Sequence, residues 1–244
     1  MESVRLVLLH GTQLNSAQWL GYAAALPGID VQTPDLPAHG TRRDQPFTWA
    51  AAMAVIDSAV SGASPGTRVV LAGHSLGGYL ATAYAADCPG RLAGLGLLGA
   101  AGEPGGRGAA SYRVIARVNR RLGPARMSRI LDRQLRRLGT PAATADALLA
   151  AGYSFTGVTP AWTEVMARCG SAQLAEFTGD VLLVAGQFDQ LRIHTRRYAA
   201  AARSARSVRI VTVPRASHAF PLSHREQTTA ELARLCAADP HPIR

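Results

Sequence analysis

The chain has 244 residues, 48% of them hydrophobic and 17% charged, a balance that suits one folded domain with a sizeable core and excludes global disorder. No apolar run reaches the ~18 residues that a membrane span requires. Net charge is +10 and every basic side chain is arginine, which reads as a compositional preference; with no nucleic-acid motif and no aromatic residues interleaved with the charge, the sequence points to no nucleic-acid partner.

The opening MESVRLVLLHG carries neither a cationic region nor a cleavage site and reads as a first strand, Val4–Leu9, rather than a signal peptide. Further apolar runs predict strands at Ile29–Thr33, Arg68–Ala72, Leu92–Leu98, Val181–Ala185 and Val208–Val213. These runs do not alternate, as expected of strands buried on both faces. Helical patterns lie between them at Ser16–Leu26, Thr48–Ser61, Leu76–Asp87, His194–Ala202 and Ser223–Ala237, so the rhythm is that of a mainly parallel sheet flanked by helices. Cys88, Cys169 and Cys236 are odd in number and widely spaced; they form no metal pattern and are expected to be reduced thiols in a cytoplasmic protein.

The rhythm breaks once, between 103 and 179. GEPGGRG opens this stretch, and amphipathic helices are expected at Tyr112–Leu122, Ala125–Leu138, Thr144–Ala151 and Ala161–Cys169. The expected organisation is therefore an α/β core from 1–102 and 180–244, with 103–179 as a helical cap over the edge where open α/β sheets bind ligands.

Within "VVLAGHSLGGYL" the segment Gly73-His74-Ser75-Leu76-Gly77 matches G-x-S-x-G between a predicted strand and a predicted helix. Glycines flank the serine because backbone and helix crowd each other at such a turn, which lifts the hydroxyl clear of the sheet edge. A serine hydroxyl is a weak nucleophile, so it needs a base and a group that orients the base. Of seven histidines, His218 follows the last predicted strand, in "PRASHAFPLS", on the same sheet edge as Ser75. For the acid, Asp189 in "VLLVAGQFDQ" lies just beyond a strand on that edge; Asp180 starts the same strand at the wrong end, and Glu103 is the alternative. A turn or N-cap role is the other reading of Asp189. Acyl transfer also needs two donors for its oxyanion. The backbone N–H of Leu76 is one candidate, and Thr12, after His10-Gly11, supplies the other. His10 is in addition a candidate substrate contact.

On these residues the chain resembles the α/β-hydrolase fold, in its small esterase and lactonase-like branch. The resemblance spans nearly the whole chain and rests on His10-Gly11 with Trp19, "DLPAHG", "GHSLGG", "GQFD" and "SHAFPL". It implies Ser75 as nucleophile, His218 as general base and then acid, and Asp189 as the residue that orients His218, with oxyanion N–H groups from Thr12 and Leu76. It implies no metal or organic cofactor and a small-molecule acyl substrate: a carboxylic ester, a thioester or a related compound. Two departures stand out. The family's first hairpin is absent, and Ala38 occupies a glycine position of "DLPGHG". Carbon–carbon hydrolases, lyases and haloperoxidases share the resemblance, and a non-catalytic ligand-binding receptor is the alternative of another class.

Ten arginines and one acid lie between Arg107 and Arg137. The apolar residues there recur at helical spacing (Tyr112, Ile115, Val118, Leu122, Met127, Ile130, Leu131, Leu138), so one face can pack while arginines cover the other. The arginines form a solvated face, turn inward (Arg113 and Arg117 are the candidates) onto an anionic substrate group, or dock on an anionic membrane or carrier protein. Tyr153, Phe155 and Trp162 either wall an acyl pocket or pin the cap to the core; pinning is the preferred reading for Trp162.

Overall fold

The computed structural model describes residues 3–105 and 122–237. Six strands, β1 (Val4–Leu9), β2 (Ile29–Gln32), β3 (Arg68–His74), β4 (Gly94–Leu98), β5 (Asp180–Gly186) and β6 (Ser207–Val213), form one sheet in the order β2-β1-β3-β4-β5-β6, with every pairing parallel. All six lie where apolar runs predicted them. β3 runs two residues further than expected, through Gly73 and His74, and β4 starts at Gly94.

Helices α1 (Tyr22–Ala25), α2 (Trp49–Ser61), α3 (Leu76–Asp87), α4 (Pro124–Arg137), α5 (Ala142–Ala151), α6 (Val158–Arg168), α7 (Thr195–Ala201), α8 (Phe220–Ser223) and α9 (Arg225–Cys236) complete the described chain. Local chemistry sets their ends: Thr48 accepts the Ala51 N–H at the start of α2, for example. The expected helix Ser16–Leu26 is instead a 3-10 turn, Ser16–Trp19, and the short α1, parted at Gly21 with φ +85°. That left-handed residue cannot continue a helix.

The interior strands are buried on both faces. Val7, Leu9, Leu71 and Leu183 pack with Ile56, Leu80 and Tyr84 on one side, while Leu6, Leu8, Val70 and Val184 pack with Trp19, Tyr22, Phe220 and Leu232 on the other. This double burial is why the sequence shows runs and not alternation. It fails at the sheet edge, where Val208 and Ile210 of β6 are 38% and 49% exposed.

The chain leaves β1 to form β2 on one side and crosses back to form β3 on the other. The loops after β1 and β3 thus diverge, and a crevice opens at the strands' C-terminal ends. Asp35 ties down the loop after β2 by accepting from Ser16 N (2.7 Å), Thr41 N (2.8 Å) and Thr41 Oγ1 (2.8 Å). Burial raises the Asp35 carboxyl's pKa, yet these bonds outweigh it and leave it below the ordinary carboxylate range. Ala38 in the same loop holds φ +66°, a glycine conformation kept without the glycine.

Helices α4, α5 and α6 are inserted between β4 and β5, and the described part of 103–179 contains no strand. The expected helix Tyr112–Leu122 lies outside the described residues except for Leu122. The insertion sits on the loop after β1: Asn15 Nδ2 donates to Gly152 O (3.0 Å) and Ser154 N to Gln13 O (3.0 Å). α6 packs on α3, where Trp162 meets Tyr79 edge to face with ring centroids 5.6 Å apart.

Candidate active site

Ser75 stands between β3 and α3 at φ +52°, ψ −114°. A non-glycine residue there stores roughly 1–3 kcal/mol of strain, which only the surroundings can hold in place. They do so by close approach. A Cβ on Gly73 would lie 2.2 Å from the Gly77 carbonyl carbon, and one on Gly77 would lie 2.5 Å from Leu9 O. The helix thus starts against the sheet itself, and Ser75 N donates to Leu98 O at 2.9 Å. Among the described residues, neither the Leu76 N–H nor the Thr12 N–H has an acceptor. The Leu76 N–H opens α3 and is one of the first-turn groups that a helix leaves without an internal acceptor.

His218 and Asp189 meet across the loops after β6 and β5. His218 Nδ1 donates to Asp189 Oδ1 at 3.0 Å, and the Asp189 side chain is wholly buried. The same oxygen accepts the Leu191 N–H at 2.8 Å, so the N-cap reading and the histidine-partner reading of Asp189 both hold. Burial pushes the Asp189 carboxyl up, but the hydrogen bond from His218, its charge and the Leu191 N–H outweigh burial and leave it below the ordinary carboxylate range. Oδ2 has no partner among the described residues and faces Gly99, where a Cβ would stand 2.8 Å away. Asp180 lies at the opposite sheet edge on Arg68 (2.9 Å). Glu103 binds Arg197 (3.2 Å) and accepts from Ser171 N, away from His218.

Ser75 and His218 line one cavity of about 300 Å³. No hydrogen bond joins Ser75 Oγ to His218 among the described residues; such bonds often tighten only around a substrate. Leu131 and Leu135 of α4 and Leu138 just after it, with Leu14 and Leu222, make its wall largely aliphatic. No arginine lines it among the described residues, and Arg113 and Arg117 lie outside them. Thr12 and Trp162 also line the cavity, and Trp162 Nε1 donates to Thr12 Oγ1 at 2.9 Å.

Three sequence candidates stand elsewhere. Tyr153 and Phe155 pack behind the wall, against a cluster of Leu14, Leu135, Leu148 and Leu222. His10 is buried: its Nε2 accepts from Leu36 N (3.0 Å), so Nδ1–H donates to Gly11 O (3.0 Å) and no polar edge is left for a substrate.

Comparison with known proteins fits this geometry. Residues 6–232 match the model of the alpha/beta hydrolase family. The chain belongs to that family. Among solved structures it is similar to a thermophilic esterase from Thermogutta terrifontis (24% identity, 97% of this chain and 92% of that one, TM-score 0.74). It is also similar to a hydrolase from Pseudomonas aeruginosa PA01 (20% identity, 97% and 91%, TM-score 0.76) and to an N-formylmaleamic acid deformylase from Pseudomonas putida S16 (19% identity, 95% and 92%, TM-score 0.72). At these identities the likeness carries the fold. A search of curated proteins found no match.

Within this alpha/beta hydrolase, sequence reasoning missed His74. Its place next to Ser75 in the chain gives no sign of where its side chain goes. It leaves the serine's side of the turn and runs beneath His218, donating from Nε2 to the His218 carbonyl at 2.9 Å with ring centroids 4.8 Å apart. Burial and the nearby His218 hold its pKa down to about 3, so it is a neutral spacer between elbow and histidine loop. Gln13, at φ +68° with its Nε2 unpartnered among the described residues, is a second cavity residue with no sequence signature.

Proposed function

We propose that this protein is a serine hydrolase that cleaves an uncharged aliphatic ester, thioester or related acyl compound through an acyl-serine. The observation that carries this reading is the Asp189–His218 hydrogen bond at the rim of a cavity it shares with the strained Ser75. In the proposed cycle, Ser75 Oγ attacks the acyl carbon as its proton passes to His218 Nε2. Asp189 holds the Nδ1–H tautomer and stabilises the imidazolium, which the buried carboxylate does without being protonated. The oxyanion is received by the free N–H groups of Leu76 and Thr12. His218 then gives its proton to the departing alkoxide or thiolate as the bond to the acyl carbon breaks. Water, deprotonated by His218, attacks the acyl-serine and returns Ser75.

The aliphatic wall supports an uncharged hydrocarbon acyl or alkyl group. The test is a panel of p-nitrophenyl esters and acyl thioesters, with carboxylated analogues beside the neutral ones. Turnover of neutral aliphatic members, lost by about 10³-fold or more in Ser75→Ala, is expected. Unchanged turnover in folded Ser75→Ala would remove the nucleophile, and preference for carboxylated esters would remove the neutral substrate.

A further inference from the structure

The insertion holds the loop after β1 at three successive places. Trp162 Nε1 donates to Thr12 Oγ1 (2.9 Å), Ser154 N donates to Gln13 O (3.0 Å), and Asn15 Nδ2 donates to Gly152 O (3.0 Å). Gln13, the middle residue, is locked at φ +68°, a strained value for a side-chain-bearing residue. The first of the three contacts lies within the cavity, and it falls on the residue whose N–H is free.

We propose that Trp162 is a positioning residue: its indole N–H, delivered by α6, fixes the orientation of Thr12 and so aims the Thr12 backbone N–H at the developing oxyanion. This rests on the acyl-serine reading above. Thr12 is β-branched, with restricted χ1, so anchoring its Oγ1 also limits the orientation of its Cα and of the peptide plane that carries the N–H. The anchor is itself rigid. Trp162 is 2% exposed and is wedged edge to face on Tyr79, whose hydroxyl donates to Gly102 O at 2.7 Å. Tyr79 belongs to α3, the helix that carries Leu76 at its first turn. The two proposed donors are therefore referenced to each other through one chain of contacts: Leu76 and α3, Tyr79, Trp162, Thr12. The geometry of an oxyanion site has to be built before the charge appears, because donors that must rotate into place give back much of their benefit. The insertion thus has a part in the chemical step besides covering the cavity.

The test is a double-mutant cycle on Trp162→Phe, which keeps the ring against Tyr79 and loses the N–H, and Thr12→Val, which keeps the shape and loses the acceptor. Each single variant is expected to lower kcat about 10-fold with KM within about two-fold, the split expected of an interaction made in the transition state. The double variant is expected to lose no more than either single one. A trifluoromethyl ketone bearing the preferred acyl chain, which forms a hemiketal oxyanion on the serine, should lose affinity in step with kcat, while the alcohol product's inhibition stays unchanged. A merely structural role would alter both inhibitors, or the folded fraction, together. Trp162→Phe with kcat within two-fold of wild type, or losses that multiply in the double variant, overturns the proposal. Wild-type protein that neither turns over esters nor binds the ketone overturns the acyl-serine reading instead.

Discussion

At the sheet edge, Ser75, Asp189 and His218 are held by backbone. Strand ends set where each loop begins, the elbow glycines let α3 start against β3, and the histidine loop is tied by Asp189 on its side chain and by His74 on its carbonyl. In the insertion, the cavity wall is held by helix faces: α4 turns Leu131 and Leu135 inward and leaves Arg126, Arg129, Arg133 and Arg137 exposed. The first region tolerates almost no displacement, since a single added methyl group meets backbone within 2.5 Å. The second is a packing surface whose residues can change size at moderate cost. The two regions should therefore respond differently to substitution, except where Trp162 of the insertion meets Thr12.

Gly77→Ala tests the rigid region most severely. Its Cβ would fall 2.5 Å from Leu9 O, and backbone cannot yield as a side chain does. We expect destabilisation of about 3 kcal/mol or more, read as a shift in the urea midpoint or as loss of soluble protein. A fully stable, active Gly77→Ala protein would show that the elbow is looser than described.

The same region should fail in mild acid. His39 and His74 are buried with pKa values held down to about 3, chiefly by desolvation. Unfolding releases both imidazoles to their ordinary value near 6.5, where they bind protons that the folded state refuses. Their contribution to stability is therefore whole above about pH 6.5 and is lost as pH falls toward 3, at up to ~1.4 kcal/mol per pH unit for each histidine. Urea midpoints at pH 7 and pH 5 check this, and a His39→Gln protein should show a shallower fall. Equal midpoints at the two pH values would contradict the buried, neutral assignment.

The smallest effects belong to the insertion. Leu135→Ala enlarges the cavity wall and is expected to raise KM for aliphatic esters several-fold while kcat stays close to wild type. Arg133→Gln, on the outer face of the same helix, should leave KM for neutral and anionic esters within about two-fold. An Arg133 effect confined to anionic esters would return the inward-arginine reading.

This division also explains what the sequence made legible. Strands buried on both faces announce themselves as apolar runs, and a tight strand-to-helix turn needs glycines at fixed spacing, so the six strands and the place of Ser75, Asp189 and His218 at one sheet edge were readable one by one. β6 kept an apolar sequence despite its exposed edge position, because a run reports β-forming residues and not the number of covering layers. Helical spacing placed Ile130 on the packed face of α4, yet it is 40% exposed. The arc that spacing allows is wider than the arc that α4 buries. Tyr153 and Phe155 showed aromatic content in the right segment without showing which side of the wall they take. The hydrogen bonds of His74 and Trp162 were not readable because they join residues 144 and 150 positions apart.

The most direct test of the central claim is intact-protein mass after exposure to a fluorophosphonate, for wild type, Ser75→Ala and His218→Ala. The account predicts one adduct on wild type, none on Ser75→Ala and much slower labelling of His218→Ala. An unlabelled, folded wild-type protein, or an adduct that persists in Ser75→Ala, would contradict it.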